Sequence, residues 1–424
     1  MNTKPTILML PSWYPTKENP LNGVFFREQA LAMQKDFNII VATLHHKPEF
    51  FFISLLRQIF RIGLSNILFV QNDCGLQEYA ITIHNPWFCI WDLFIKKFKN
   101  VFSRNDRRIG VGIEEMRFIK RNRHKIVDDI KFKQVLPHFD VVYSLTSQDY
   151  APIGKVFADV YGVPHVTAEH APFPWPGTVL TDTVFESIES ADAFLSISND
   201  KIRQILLQNI RVNPIWVGNL CDEQKFVFAP KLHTTPTFLI VAAHIFYKNY
   251  PLFISAMEEL KLIAEKDFKI IIAGYNSNKG YARNAKELET MVHNSIISEN
   301  TTMIEILNRD EMPALYNSCD VFVMTSIQEG LPVSAIEASM CGLPIISTRC
   351  GGVEDYVDES LGRILPITDY KGIAKACNDY LNGAIVFDHE RIRNRAVELF
   401  GMRAFTTRMK KIFNKVLNIQ DATA

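Results

Sequence analysis

Residues Ser326–Val357 read SIQEGLPVSAIEASMCGLPIISTRCGGVEDYV, and this stretch decides the fold. Just before it, Val321–Thr325 is the short apolar run expected of a buried strand. Pro332 suits the first turn of a helix, and Gly342 with Pro344 ends that helix. Pro344–Ser347 then reads as a further strand. The expected order is strand, loop, helix, strand, with Glu329 in the loop and Glu337 in the second helical turn. A helix start leaves backbone N–H groups without intrahelical partners, and it attracts phosphate through them and through its partial positive charge. Carboxylates accept hydrogen bonds from sugar hydroxyls. Two acids beside an anion site therefore suit a ligand with hydroxyl groups on either end of a diphosphate. On spacing alone, two solvated acids around a helix start are the better reading; the surrounding run favours the site.

The same rhythm extends in both directions. Downstream of residue 236, Phe238–Ala242, Phe268–Ala273 and Thr302–Leu307 read as strands, with helices near 249–265, 284–294 and 311–318. Upstream, Ile7–Leu10, Asn38–Leu44, Val141–Leu145, His165–Ala168, Phe194–Ile197 and Ile215–Val217 read as strands. Helical patterns fall near 149–161, 182–191 and 199–209, and another opens at Gly23. Residues 221–236 mix charge, proline and threonine without period and read as a linker. The expectation is α/β: two Rossmann-like doubly wound domains facing a cleft, residues 1–220 and 221–400, with a terminal helix over 401–424 crossing back to the first domain. Ligands of such sheets bind at the carboxyl ends of strands, where the strand order reverses.

The 424-residue chain has ample length for two cores. Its 46 basic and 46 acidic side chains cancel, which argues against a nucleic-acid-binding protein. The seven cysteines are odd in number and include no C-x-x-C pair, so neither a disulfide framework nor a cysteine zinc site is expected. The histidines show no metal spacing, and no metal is expected. No secretory signal is read at the amino terminus, so a cytoplasmic location is expected.

Residues 46–135 break the rhythm and read as a basic, aromatic insertion. From His84 to Lys133 there are 13 basic residues and six acids, a local excess of +7 in a neutral chain. Phe50–Val70 has the length of a membrane span, but Arg57 and Arg61 lie mid-segment, so an in-plane or buried helix is expected. Pro86–Phe102 joins aromatic residues to Lys96, Lys97 and Lys99. Residues 50–70 and 86–133 together are expected to meet an anionic membrane surface, placing the protein peripherally on the cytoplasmic face. An ordinary solvated basic face is the competing reading.

The chain resembles the retaining glycosyltransferases of family 4. Their E-x7-E motif reads Glu329…Glu337 here, their A-x-G-x-P run corresponds to Ala338–Pro344, and their GG-x-x-E loop to Gly351-Gly352-Val353-Glu354-Asp355. Cys319–Ser326 is similar to the strand before the motif, with Thr325 for a proline. Asn219–Asp222 resembles the start of the second domain. Asn22-Gly23 with Phe25–Ala32 resembles the amino-terminal glycine loop and helix, and Glu169-His170 a strand end on the acceptor side.

The resemblance implies a GT-B fold, a nucleotide-sugar donor carrying UDP or GDP, retention of anomeric configuration and no metal. It gives catalytic roles to Glu329, Lys248 and His170: Glu329 on donor sugar hydroxyls, Lys248 on the diphosphate, His170 near the reacting sugar. Glu337 would meet the ribose, and the Gly330 and Leu331 amides the sugar or phosphate. Gly23 and Asn22, Asn219 and Gly274 complete the binding set. Gly23 also reads as relief of a tight turn, Asn219 as a turn residue, and His170 as a structural histidine. The family's arginine five residues before Lys248 is replaced by Ala243, with His244 beside it as a substitute. The expected acceptor is a growing glycan, lipid-linked or part of a lipopolysaccharide or capsule. A GT-B-type nucleotide-sugar epimerase and a non-catalytic nucleotide-sugar-binding partner of a glycan assembly complex are the rival readings.

Overall fold

The computed structural model describes residues 4–16, 22–48, 65–71, 74–85, 107–134, 136–175, 178–229, 234–276 and 282–420. The chain divides into two compact units. One comprises Met1–Leu195, Ile205–Ile215 and Met409–Ala424, the other Ser196–Gln204 and Trp216–Arg408.

Unit 1 contains strands β1 (Thr6–Leu10), β2 (Asn38–Pro48), β3 (Ser65–Gln71), β4 (Gln77–Asn85), β5 (Val141–Leu145), β6 (His165–Glu169), β7 (Ala193–Ser196) and β8 (Ile215–Trp216). Its helices are α1 (Val24–Met33), α2 (Arg107–Phe132), α3 (Ser147–Tyr161) and α4 (Asp182–Glu189); α5 (Asn199–Leu206) straddles the division, as do the last residues of β7 (Ser196) and β8 (Trp216), which fall in unit 2. The strand order is β3-β4-β2-β1-β5-β6-β7-β8. β1 pairs in parallel with both β2 and β5, so the order reverses at β1/β5. Ile7, Leu8, Met9 and Leu10 are all fully buried, as expected of a parallel strand covered on both faces.

Two expectations for residues 46–135 are corrected. Ser65–Val70, expected within a helix, lies in a strand, Ser65–Gln71, paired antiparallel with β4 from Ser65↔Ile83 to Gln71↔Gln77. Its SNILFVQ sequence satisfies its backbone across the sheet rather than within a helical turn. The region is also part of the core rather than an appendage. β4 pairs with β2, and Ile119, Ile126, Val127 and Ile130 of α2 pack with Leu8, Ile40 and Phe157. Residues 49–64 and 86–106, with most of the expected membrane segments, lie outside the described residues.

Unit 2 contains β9 (Thr237–Val241), β10 (Lys269–Ala273), β11 (Thr301–Ile304), β12 (Val321–Met324), β13 (Ile345–Thr348) and β14 (Gly362–Leu365), in the order β11-β10-β9-β12-β13-β14, all parallel. Its helices are α6 (Tyr250–Ile263), α7 (Ala282–His293), α8 (Met312–Tyr316), α9 (Val333–Met340), α10 (Tyr370–Leu381) and α11 (His389–Phe400). The order reverses at β9/β12.

The linker reading of 221–236 fails at its start. Cys221 and Phe226 are buried in the unit 2 core, Phe226 lying edge-on to Tyr316 at 6.1 Å. Burial of one aromatic ring outweighs the irregular composition around it. The last helix, α12 (Met402–Val416), belongs to both units. Arg408 lies over the Trp216 ring in unit 2, and Phe413 packs against Phe37 and Tyr143 in unit 1.

Candidate active site

The loops leaving β9 and β12 start side by side at the unit 2 switch point, and they carry Lys248 and Glu329. Lys248 Nζ donates to Glu329 Oε1 at 2.6 Å, with 23% and 12% of the two side chains exposed. Ser326 Oγ donates to the same oxygen at 2.6 Å. The loops are tied along their length. Thr325 Oγ1 lies 3.1 Å from the Lys248 carbonyl and 3.2 Å from that of Asn249, and Ile327 N donates to the Tyr247 carbonyl at 2.7 Å. Asn249 turns the chain into α6 with φ 51°, a left-handed conformation that asparagine tolerates. An 81-residue separation in sequence thus becomes a direct ion pair because β9 and β12 are sheet neighbours.

Glu329 N donates to the Cys350 carbonyl at 2.7 Å. This brings the Gly351-Gly352 turn under the Gly330-Leu331 loop. A Cβ on Gly352 (φ +71°) would lie 2.3 Å from the Gly330 carbonyl oxygen. Only glycine permits both the left-handed backbone and that approach. Glu354 Oε1 accepts from Gly351 N at 3.1 Å, while its buried Oε2 has no partner among the described residues. Asp355 accepts from Asn199 N at 2.6 Å, and burial raises its carboxyl above the ordinary range.

Pro332 caps α9, so the amides at the start of that helix open beside Glu329. Asn219 Nδ2 donates to the Leu331 carbonyl at 2.8 Å; its Oδ1 is buried without a partner among the described residues. Glu337 sits in the second turn of α9, only 1% exposed. Arg309 Nη1 and Tyr316 OH donate to its two oxygens, the tyrosine at 3.0 Å. Gly274 ends β10 with φ +71° and donates to the Ile304 carbonyl. His244 and Asn284 bond reciprocally, His244 Nδ1 to the Asn284 carbonyl and Asn284 Nδ2 to the His244 carbonyl.

Unit 1 gathers a second group of residues at its own switch point. Gly23 (φ +65°) caps α1, and a Cβ there would lie 2.4 Å from the Trp13 carbonyl oxygen. The tight-turn reading of this glycine therefore has a definite cause: the Trp13 backbone occupies the space. Asn22 is exposed beside it. His170 follows β6, edge-on to Phe26 at 4.8 Å, and its buried Nδ1 has no partner among the described residues. Burial pushes its pKa down to about 3, opposed by a hydrogen bond to the Ala168 backbone, so it is neutral at pH 7. The preceding Glu169 is fully buried. It accepts from Ser147 Oγ at 2.5 Å, and from the amides of Gln148, His170 and Ala171. Burial raises its pKa to about 7 against those hydrogen bonds.

The structure thus unites Glu329, Lys248, Gly330, Leu331, Glu337 and Asn219 around one loop–helix junction. Gly23, Asn22 and His170 belong to unit 1. Sequence reading missed Arg309, Tyr316, Ser326 and Glu169 as the groups that hold the predicted acids and the His170 loop. Of these, only Ser326, three residues before Glu329, and Glu169, beside His170, stand near a predicted site residue in the chain. Among the described residues no group of three or more His, Cys, Asp or Glu could hold a metal ion, and no helix is long and apolar enough to cross a membrane.

Residues 222–398 match the family described as glycosyl transferases group 1. An uncharacterized glycosyltransferase of Methanocaldococcus jannaschii is 22% identical, over 69% of this chain and 72% of that protein. The N,N'-diacetylbacillosaminyl-diphospho-undecaprenol alpha-1,3-N-acetylgalactosaminyltransferase of Campylobacter jejuni is 24% identical, over 42% of this chain and 44% of its own length. The solved structure of Anabaena HepE with UDP and glucose superposes with a TM-score of 0.62 at 14% identity, covering 97% of this chain and 99% of that one. The two Rossmann-like units are those of a GT-B protein, and the sequence matches support glycosyl transfer.

Proposed function

We propose that this chain is a retaining, metal-independent glycosyltransferase that moves a sugar from a UDP- or GDP-sugar to a growing glycan, lipid-linked or part of a lipopolysaccharide or capsule, at the cytoplasmic face of a membrane. The observation that carries the reading is the Lys248–Glu329 pair at the β9/β12 switch point, beside the opening amides of α9. The UDP bound in the Anabaena structure and the diphospho-undecaprenol in the Campylobacter enzyme's name favour the donor and acceptor classes.

The pair holds itself together until the donor separates it. Lys248 then faces the diphosphate and opposes the charge that grows as the sugar leaves; Glu329 turns to the sugar hydroxyls. The Gly330 and Leu331 amides and the α9 terminus add fixed positive dipoles that need no reorganisation during reaction. The acceptor hydroxyl attacks the anomeric carbon on the face the phosphate leaves, and that phosphate takes its proton, so configuration is retained. The protein's share is positioning and electrostatics. Glu337, held by Arg309 and Tyr316, stands where the ribose would lie. Neutral His170, its Nδ1 without a partner among the described residues, suits a hydrogen bond to a sugar hydroxyl.

A thermal-shift screen against UDP, GDP and their sugars names the base, because a bound ligand stabilises the native state. With the donor so found, Lys248→Ala and Glu329→Ala should each cut transfer by about a hundredfold or more. Near-normal transfer by both variants overturns the assignment. Ala243 favours one second reading, a binding protein without turnover: the diphosphate arginine is missing, and the neighbouring His244 is engaged with Asn284. Sugar transfer or donor hydrolysis by the purified protein excludes it.

A further inference from the structure

We infer that Glu169, as the carboxylate, is a positioning residue: it fixes the loop that carries His170 to the start of α3. Its bearing on sugar transfer rests on the reading that His170 meets the reacting sugar. Glu169 ends β6 and is fully buried. Its Oε2 accepts from Ser147 Oγ at 2.5 Å and from Gln148 N at 3.3 Å, in the first two residues of α3. Its Oε1 accepts from the amides of His170 at 2.9 Å and Ala171 at 2.8 Å. A helix start favours a negative charge, and here the protein supplies its own. Gln148 makes a second tie to the same loop. Its Oε1 accepts from Trp175 N at 2.8 Å, and its Nε2 donates to Thr178 Oγ1 at 2.8 Å.

Thr146, just before α3, has φ 70° and ψ 84°, a left-handed conformation that a β-branched residue rarely adopts. It is fully buried, its amide donates to the Ala168 carbonyl at 2.8 Å, and its Oγ1 lies 2.6 Å from Ser12 Oγ. Strain of this kind persists where the surroundings over-determine it, and it gathers at sites where placement matters. An ionised carboxylate only accepts hydrogen bonds, and four donors converge on this one. Protonation turns one oxygen into a donor, so one side of the junction loses its acceptor. Burial holds the carboxyl at about 7, so the tie loosens as pH falls through that value. The charge that bears on it from α3 is Asp149, which Lys120 of α2 pairs at 2.5 Å. From α1, Phe26 faces His170, and Arg27 lies 3.6 Å from Glu78. His170 itself is neutral.

The test joins hydrogen exchange to kinetics on the full chain. Glu169→Gln keeps the shape and one acceptor oxygen but never ionises. Amide exchange at His170 and Ala171, corrected for intrinsic rates, should rise about fivefold or more from about pH 8 to about pH 6 in the wild type. In Glu169→Gln it should be high at both values. The kcat for transfer should fall about tenfold or more in the variant, with the donor KM unchanged because unit 2 holds the donor. The wild-type loss of kcat below about pH 7 should be absent from the variant. Wild-type exchange that is flat across this range, a variant with the wild-type exchange pattern, or a variant that keeps the wild-type kcat profile would each overturn the inference. If Glu169→Gln fails to fold by circular dichroism, the pH dependence of wild-type exchange decides. If the wild type transfers no sugar, the sugar-transfer reading fails, and the exchange data alone decide whether Glu169 holds the loop.

Discussion

Replacing Arg309 with methionine isolates what the buried end of the site costs the fold. Glu337 is 1% exposed, and the Arg309 guanidinium and the Tyr316 hydroxyl donate to its two oxygens. Methionine keeps the apolar packing over the Phe226 ring, which Arg309 now covers at 5.2 Å, and removes the charge. Removing one member of a buried ion pair costs about 3–5 kcal/mol, because a charge is left unpaired. Arg309 is 20% exposed and the tyrosine bond remains, so the lower end applies, about 3 kcal/mol. For a unit of this size each kcal/mol lowers the melting temperature by about 2–4 °C, so a drop of about 6–12 °C is expected. Calorimetry on Arg309→Met, Glu337→Gln and the double variant measures it. The double variant should be no less stable than Arg309→Met, with a coupling of about 2 kcal/mol or more, since the amide needs no cation. A cost below about 1 kcal/mol for Arg309→Met, or strictly additive effects, refutes the buried-pair account.

Gly352→Ala should cost unit 2 about 2 kcal/mol or more and weaken donor binding at least tenfold. Its methyl would meet the Gly330 carbonyl, and calorimetry with nucleotide titration reads both effects. Gly23→Ala should destabilise unit 1 similarly through the Trp13 carbonyl, and a wild-type melting temperature would contradict that packing. Stability should also depend on pH through two neutral histidines. Burial lowers the pKa of both His165 and His170 to about 3, well below their value in the unfolded chain. The unfolded state therefore binds more protons between about pH 3 and 6.5, and stability rises with pH there, by up to about 1.4 kcal/mol per unit for His165. Glu169, raised to about 7, opposes this from about pH 4.5 upward, because the folded state then holds the extra proton. Urea titrations should show the steepest gain between about pH 3 and 4.5 and a shallower one above it; a flat profile would show that neither histidine is neutral in the fold.

Local signals made much of the architecture legible. Val321–Thr325, the Gly330-Leu331-Pro332 loop and the Gly342 stop each report short-range backbone preference, and β12, α9 and β13 appear within a residue or so of where those signals put them. Reading failed where a segment's state depended on its partner. Ser65–Gln71 is short and apolar enough for either helix or strand, and β4 decides for strand. Phe226 lies in a stretch with the composition of a linker, and the Tyr316 ring makes it core. Residues 116–132 look like a solvated basic run from their charges, yet Ile119, Ile126, Val127 and Ile130 close the unit 1 core.

The sequence by itself determined the alternation of strand and helix, the pair of acids around one helix start and the lysine at another, because these are properties of neighbouring residues. The tertiary structure alone decided which groups touch. The order β9-β12 joins Lys248 to Glu329 across 81 residues, and the fold delivers Arg309 and Tyr316 to Glu337 and the Trp13 carbonyl to Gly23. Strand order and close packing are set by burial of the whole apolar surface, a quantity that no single stretch of chain contains.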